Sequence, residues 1–171
     1  IGHLARSFDA MRGAVRKTIF DLKETNLSIE RFVPRAFLAM IGKPSIVSVS
    51  LGDNMRQEMT VLFSDIRNFT TLSEQMTPDE NFAFINSFLE RMGPVIRDHN
   101  GFIDKYIGDA IMALFENADD ALRASLDMFE TLERFNAERR TAGLEPVGIG
   151  VGLNTGSLML GTIGEKHRMD G

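Results

Sequence analysis

The stretch Gly101–Phe115, GFIDKYIGDAIMALF, decides the fold that this sequence adopts. Apolar runs lie on either side of the dipeptide Gly108–Asp109, a pattern that predicts two antiparallel strands joined by a tight turn. A hairpin that only packs into a core needs no charged side chains. Asp104, Lys105 and Asp109 therefore indicate that this hairpin also carries a functional site.

Regular patterns lie on both sides of the hairpin. The run Met59–Ile66 predicts a strand buried on both faces, and Thr77–Glu80 is a capping box that opens a helix. A second helix is predicted over Asp119–Arg140, and Pro146–Gly164 predicts two further strands around a turn at Asn154–Gly156. This order predicts an α+β fold, a ferredoxin-like βαββαβ sheet with an extra β-hairpin strand.

A heptad pattern runs through the first segment until Pro34 interrupts it. It predicts a long N-terminal coiled-coil helix that pairs in parallel, and one long helix packed on its own domain is the alternative. The predicted domains are a signalling helix at residues 1–43, a linker at 44–58 and a compact domain at 59–171. The heptad positions are Leu4, Phe8, Met11, Val15, Thr18, Leu22, Thr25, Ile29 and Phe32.

Composition limits the classes of function. The chain has no cysteine and three scattered histidines, so any bound metal should be a hard ion held by carboxylates. The net charge is −5, and residues 44–171 hold twenty Asp/Glu against eleven Lys/Arg, which argues against a nucleic-acid partner. No apolar run approaches the roughly 18 residues of a membrane span. The chain opens at Ile1, which suggests a fragment of a longer protein.

The predicted topology brings two carboxylates to one end of the sheet. Asp65 stands at the carboxyl end of the first strand, and Asp109 stands at the hairpin turn. Together they suit Mg²⁺ or Mn²⁺, and two such ions would serve phosphate chemistry. The loop Ser64–Gln75 precedes a helix N-terminus, which favours phosphate. Taken singly, Asp65 also suits a turn cap, Asp109 a hairpin turn, and Lys105 a solvated strand.

Three segments together resemble the catalytic domain of class III nucleotidyl cyclases: VLFSDIRNFTTLSE, NGFIDKYIGDAIMALF and GIGVGLNTG. The resemblance runs from about Met59 to Gly171. It implies that Asp65 and Asp109 are the two catalytic, metal-binding aspartates and that the Ile66 backbone carbonyl is a further metal ligand. It also implies that Phe69 and Thr70 belong to the loop whose backbone binds the substrate triphosphate.

Within this family, Lys105 matches the position that reads the purine. A lysine there implies ATP as substrate, because a cationic donor suits adenine N1, whereas guanylate cyclases typically carry glutamate. The implied protein is an adenylate cyclase, a lyase that makes 3′,5′-cyclic AMP and pyrophosphate. The family's lysine serves the site whose aspartates come from the other subunit, which implies a head-to-tail homodimer. Asp104 is interpreted as a neighbouring structural charge.

Two departures from the family pattern stand out. Asn68 takes a place where the family often has glycine, and asparagine tolerates positive φ better than most residues. The chain also ends at Gly171, before the second purine-reading residue and the asparagine and arginine that act on the transition state. The domain is therefore expected to be C-terminally incomplete and weakly active or inactive. Lys166 and Arg168 are interpreted as exposed charges rather than phosphate contacts.

The N-terminal segment carries its own resemblance. Residues 1–11 resemble the end of a HAMP domain, and residues 30–53 resemble the linker that joins such relays to cyclase domains. They imply a membrane-anchored, ligand-regulated parent protein with its catalytic end on the cytoplasmic side. A non-catalytic transducing and dimerisation fragment is the alternative. A diguanylate cyclase is set aside, because YIGDA stands where its GGDEF or GGEEF turn would be.

Overall fold

The computed structural model describes residues 2–29, 33–165 and 168–170. The chain divides into two compact units, Ile1–Ser48 and Val49–Gly171. The helices are α1 (Gly2–Ile29), α2 (Arg35–Met40), α3 (Phe69–Ser73), α4 (Pro78–Asp98) and α5 (Ala118–Thr141). The strands are β1 (Asn54–Ile66), β2 (Phe102–Ile107), β3 (Ala110–Phe115), β4 (Ile149–Gly161), β5 (Ile163–Glu165) and β6 (Arg168–Asp170).

The first unit contains α1, the helix that the heptad pattern predicts. Pro34 stands immediately before α2, where its fixed φ suits a helix start. The side chains of Leu4 and Phe8, and the whole of Phe32, lie outside the described residues. Pairing of α1 with a second copy stays a prediction. None of the helices among the described residues is long and apolar enough to cross a membrane.

The second unit is built on a four-stranded sheet with strand order β2-β3-β1-β4. Every neighbouring pair is antiparallel. This order and the two long helices confirm the predicted α+β, ferredoxin-like arrangement. The core lies between one face of the sheet and α4 and α5, and it includes Leu62 and Ile66 of β1 together with Phe88, Met128 and Phe135 of the helices.

β1 differs from its prediction in two respects. It begins at Asn54, so it includes the last part of the predicted linker. The prediction that it is buried on both faces is wrong near its carboxyl end, where Leu62, Ser64 and Ile66 are buried whereas Phe63 and Asp65 are exposed. Successive strand residues point to opposite faces, and only one face of the sheet is covered by α4 and α5 there.

β4 is one strand of 13 residues, and the predicted turn at Asn154–Gly156 is wrong. The physical reason is that β1 is long enough to pair with all of it. Asn154, Thr155 and Gly156 lie opposite Val61, Thr60 and Met59 in an unbroken register. The extra hairpin lies further along the chain, where β5 pairs with β6. Arg168 is exposed on β6, and Lys166 lies outside the described residues.

The predicted start of α4 is confirmed, because the capping box at Thr77 and Glu80 is present there. Phe84 of this helix lies in the core, whereas Phe82 is 72% exposed. On α5, Leu122 and Phe129 are also exposed.

One buried side chain fixes the start of β4 against α5. The Asn136 amide donates to the Val147 carbonyl and accepts from the Val147 N–H, both at 2.8 Å. Asn136 is almost fully buried. Because a buried amide without partners is costly, this double hydrogen bond holds the chain where it enters the sheet.

Candidate active site

Asp65 is the next-to-last residue of β1, and its side chain lies on the sheet face opposite the helices. Its strand neighbours Ser64 and Ile66 are buried, so the strand's alternation places Asp65 on the open face. On this face Asp65 lies beside Gly150 of β4. The carboxylate is therefore exposed at the end of a strand that is itself held on both edges.

The hairpin turn brings the second carboxylate to the same place. Gly108 adopts φ +63° at the first central position of the two-residue turn, a conformation that glycine accepts without steric cost. Asp109 Oδ2 accepts a hydrogen bond from the Ile66 N–H at 3.0 Å. The N–H and C=O of one strand residue point to the same side, so the Ile66 carbonyl also faces the hairpin. Asp109 therefore contacts the end of β1 that carries Asp65 and Ile66.

These three residues offer only oxygen ligands. Two carboxylates and one backbone carbonyl suit a hard ion such as Mg²⁺ or Mn²⁺. Within the described part of the chain, no group of three or more His, Cys, Asp and Glu could hold a metal. Such a small donor set fits Mg²⁺, which binds through one or two carboxylates together with substrate phosphates and water.

The loop after β1 turns sharply into α3. Asn68 has φ +56° at the N-cap position, so the asparagine adopts the left-handed conformation for which glycine is the usual residue. Among the described residues, no backbone carbonyl outside α3 accepts a hydrogen bond from the backbone N–H of Phe69, Thr70 or Thr71. The Phe69 ring stacks on Phe84 of α4, with 6.3 Å between ring centroids, which fixes the loop to the core.

Lys105 lies on the same sheet face as Asp65, but on a different strand. Its register partner on β3 is Met112, and Met112 lies opposite Phe63 of β1. Two strand spacings, roughly 10 Å, therefore separate the strand of Lys105 from that of Asp65. The structure brings Asp65 and Asp109 together and leaves Lys105 at a distance on the sheet edge.

Asp104 accompanies Lys105 at an irregularity in β2. The register shifts between Ile103 and Lys105, so Asp104 is the extra residue of a bulge. The Lys105 Nζ lies 3.5 Å from Asp104 Oδ2. This contact fits the interpretation of Asp104 as a neighbouring structural charge.

Two residues at the site were missed by reasoning from the sequence. Arg67 lies over β4, and Gly150 leaves space beside Asp65, since a Cβ there would be 2.8 Å from Asp65 Oδ1. The glycines at alternating positions Gly148, Gly150 and Gly152 were the available indication, because alternate strand residues share one face.

The comparison with known families fits this geometry. The family described as the adenylate and guanylate cyclase catalytic domain matches residues 53–170. The chain therefore belongs to the adenylate and guanylate cyclase catalytic domain family, and the resemblance in the sequence is confirmed at this level.

Individual relatives include adenylate cyclases from distant organisms. An adenylate cyclase of Anabaena cylindrica is 43% identical over 176 residues, covering 99% of this chain and 35% of that protein. The terminal-differentiation specific adenylate cyclase of Dictyostelium discoideum is 38% identical, covering 90% of this chain and 7% of that protein. The chain thus spans about a third or less of these two relatives.

Solved structures share the fold. The adenylyl cyclase CyaB from P. aeruginosa is 31% identical with a TM-score of 0.65, covering 68% of this chain and 65% of that one. A bacterial light-regulated adenylyl cyclase is 26% identical with a TM-score of 0.79, covering 94% of this chain and 48% of that one.

Proposed function

We propose that this domain converts ATP to 3′,5′-cyclic AMP and pyrophosphate. The observation that carries the proposal is the hydrogen bond between Asp109 and Ile66, which holds two carboxylates from separate segments at one strand end. Membership of the cyclase family supports it, as do the adenylate cyclase relatives at 34% to 43% identity.

Asp65, Asp109 and the Ile66 carbonyl would hold Mg²⁺ or Mn²⁺, with two ions in each site. When bound, these ions activate the attacking oxygen and stabilise charge on the transferring phosphate. The backbone N–H groups of Phe69 and Thr70 would bind the triphosphate, since they lie in the first turn of α3 and no described backbone carbonyl outside that helix accepts from them. The chain's own contribution is then positioning of the nucleotide and of the charges around it.

Lys105 would select the base. Its ammonium group donates hydrogen bonds only, so it suits the N1 acceptor of adenine and not the N1–H donor of guanine. The Asp104 carboxylate lies 3.5 Å from this ammonium group and keeps a negative charge beside it. This assignment favours ATP over GTP.

The working form would be a head-to-tail homodimer with two composite sites. Lys105 and Asp65 share the open face of the sheet yet lie on strands separated by β3. Phe63, on the same face, is 44% exposed, as expected of a surface that a second copy covers. In the dimer, Lys105 of one chain serves the aspartates of its partner.

The N-terminal helix would pair in parallel and regulate the catalytic domains. The heptad residues Met11, Val15 and Leu22 are all more than half exposed on α1. Thr18 and Thr25 donate their hydroxyl groups to Ala14 and Asp21 carbonyls, which makes them tolerable on an apolar seam. The proposed parent is a HAMP-containing, membrane-anchored protein with this region on the cytoplasmic side.

The reaction is an intramolecular displacement. The ribose 3′-hydroxyl attacks the α-phosphorus of ATP, the bond to the β-phosphate bridging oxygen breaks, and pyrophosphate leaves.

Cyclic AMP formation from ATP and Mn²⁺ tests the proposal. The assay compares the 171-residue chain, a version extended past Gly171, and Asp65→Asn in each. Product that requires Mn²⁺ and is lost in Asp65→Asn supports the cyclase assignment. Absence of product from both lengths contradicts it and favours a non-catalytic transducing and dimerisation role.

A further inference from the structure

The side of Asp65 away from the hairpin is formed by a glycine strip on β4. Gly150 and Gly152 lie opposite Asp65 and Phe63, so both share the open face with the Asp65 carboxylate. A Cβ on Gly150 would lie 2.8 Å from Asp65 Oδ1, closer than Cβ atoms in proteins approach a neighbour. A Cβ on Gly152 would meet nothing within 4 Å.

Arg67 occupies the rest of this space. Its backbone N–H donates to the Gly148 carbonyl at 2.9 Å, which continues the β1–β4 pairing past the end of β1. Its Cβ and Cγ would lie 3.6 and 3.5 Å from a Cβ on Gly148, so the aliphatic part crosses that glycine. Its Cζ and Nε would each lie 3.0 Å from a Cβ on Gly150. The guanidinium and the Asp65 carboxylate therefore converge on the same point above Gly150.

The two carboxylates of the site are held in different ways. Asp109 is tied to β1 by its hydrogen bond to the Ile66 N–H, on the side of β1 that faces β3. Asp65 is placed by the space on the β4 side, where Gly150 and Arg67 limit where its oxygen atoms can lie. A methyl group at residue 150 would have to displace Asp65 or Arg67, since a backbone-attached carbon cannot itself move away.

We propose that Gly150 is a positioning residue that sets the place of the Asp65 carboxylate in the divalent-cation site. The inference rests on the proposed function, because it takes Asp65 as a metal ligand. Displacement matters most for Mg²⁺, which demands near-ideal octahedral geometry, and least for Ca²⁺, whose coordination is flexible. An added methyl group should therefore change both the affinity for divalent ions and the preference among them.

Metal binding to the 171-residue chain without nucleotide tests this inference directly. Mn²⁺ binding is measured by titration calorimetry, and Mg²⁺ and Ca²⁺ are then measured as competitors. Gly150→Ala is expected to weaken Mn²⁺ and Mg²⁺ binding by roughly 10-fold or more, as for other changes that misplace a ligand. Ca²⁺ binding is expected to weaken less. The matched control Gly152→Ala adds the same methyl group to the same face of the same strand and should leave all three affinities unchanged.

The outcomes separate this inference from the proposed function. If Gly150→Ala and Gly152→Ala bind Mn²⁺ with equal affinity, the positioning role is overturned. It is also overturned if Gly150→Ala weakens Mg²⁺ binding and Ca²⁺ binding by the same factor. Thermal unfolding without metal shows whether Gly150→Ala still folds, and the ratio of affinities for the two ions remains informative at reduced stability. If the unsubstituted chain binds Mn²⁺ no more tightly than Asp65→Asn does, Asp65 is not a metal ligand, and this result contradicts the proposed function instead.

Discussion

Asp109 and Ile66 are joined by a single hydrogen bond, in which Asp109 Oδ2 accepts from the Ile66 N–H at 3.0 Å. The contact spans 43 positions in the sequence and connects the hairpin turn to the end of β1. It uses only one carboxylate oxygen. The same side chain can therefore hold the strand end and still present an oxygen to a cation.

The proposed double role of Asp109, as a partner of Ile66 and a metal ligand, predicts that Asp109→Asn and Asp109→Ala differ in stability but not in activity. Asparagine keeps an acceptor for the Ile66 N–H, so we expect the stability of Asp109→Asn to stay close to that of the unsubstituted chain. Alanine removes the acceptor and should lower the free energy of unfolding by about 1 kcal/mol. Both remove a charged ligand, so cyclic AMP formation should fall about 100-fold or more in each. Urea denaturation and a cyclic AMP assay measure the two effects. If Asp109→Asn is as active as the unsubstituted chain, Asp109 is not a metal ligand.

Lys105→Glu is expected to weaken the preference for ATP over GTP. Replacing a donor by an acceptor should lower the ratio of kcat/KM for ATP over GTP by about 10- to 100-fold. The measurement is the initial rate with each nucleotide in the presence of Mn²⁺. Asp104→Asn serves as control, because it removes the charge 3.5 Å from the lysine and keeps the lysine itself. An unchanged ratio in Lys105→Glu would show that another residue reads the base.

Gly101→Ala should destabilise the domain, because an added Cβ would lie 2.3 Å from the ring of Phe115. Phe115 is fully buried, so the ring can move only by disturbing the core. We expect a loss of about 1–3 kcal/mol in the free energy of unfolding. Gly156→Ala, where a Cβ meets nothing within 4 Å, should be neutral or stabilising. Equal stability of the two variants would contradict the packing described here.

Glu80→Gln tests the capping box through pH. The Thr77 backbone N–H and hydroxyl both donate to Glu80 Oε2 at 2.8 Å, and these bonds lower the pKa of Glu80 from 4.5. Because the pKa is lower in the folded state, the charged form of Glu80 stabilises the fold at pH values above its pKa in the unfolded state. This contribution is lost as pH falls through the folded-state value.

The unfolding temperatures of the unsubstituted chain and of Glu80→Gln should therefore differ at pH 7 and become equal well below pH 4.5. Glu90→Gln removes an equal charge from the same helix outside the capping box and shows the effect of net charge alone. A difference between the parent and Glu80→Gln that stays constant from pH 7 to low pH would contradict the role of the ionised carboxylate.

The elements that carry the candidate site could be predicted from local patterns. The Gly108–Asp109 turn between apolar runs indicated the hairpin, and the end of an apolar run indicated Asp65 as the last polar residue of a strand. Both interpretations rest on neighbours within a few residues, for which chain stiffness and turn chemistry leave few choices. The same holds for the Thr77 capping box.

Other features escaped prediction because they depend on pairing between distant segments. Asn154–Gly156 has the composition of a turn, yet it stays extended because β1 offers it partners from Val61 to Met59. The extension of β1 back to Asn54 has the same origin, since these residues pair with the end of β4. Local turn propensity was overridden by a ladder of backbone hydrogen bonds.

The sequence by itself determined the order of strands and helices, the charged hairpin and the resemblance to nucleotidyl cyclases, since each lies in contiguous residues. Only the tertiary structure decided that β4 runs unbroken beside β1, that Asp109 reaches Ile66, and that Arg67 and Asp65 converge over Gly150. The physical reason is that these depend on strand register and on the space between side chains. Both arise only when segments far apart in the chain are packed together.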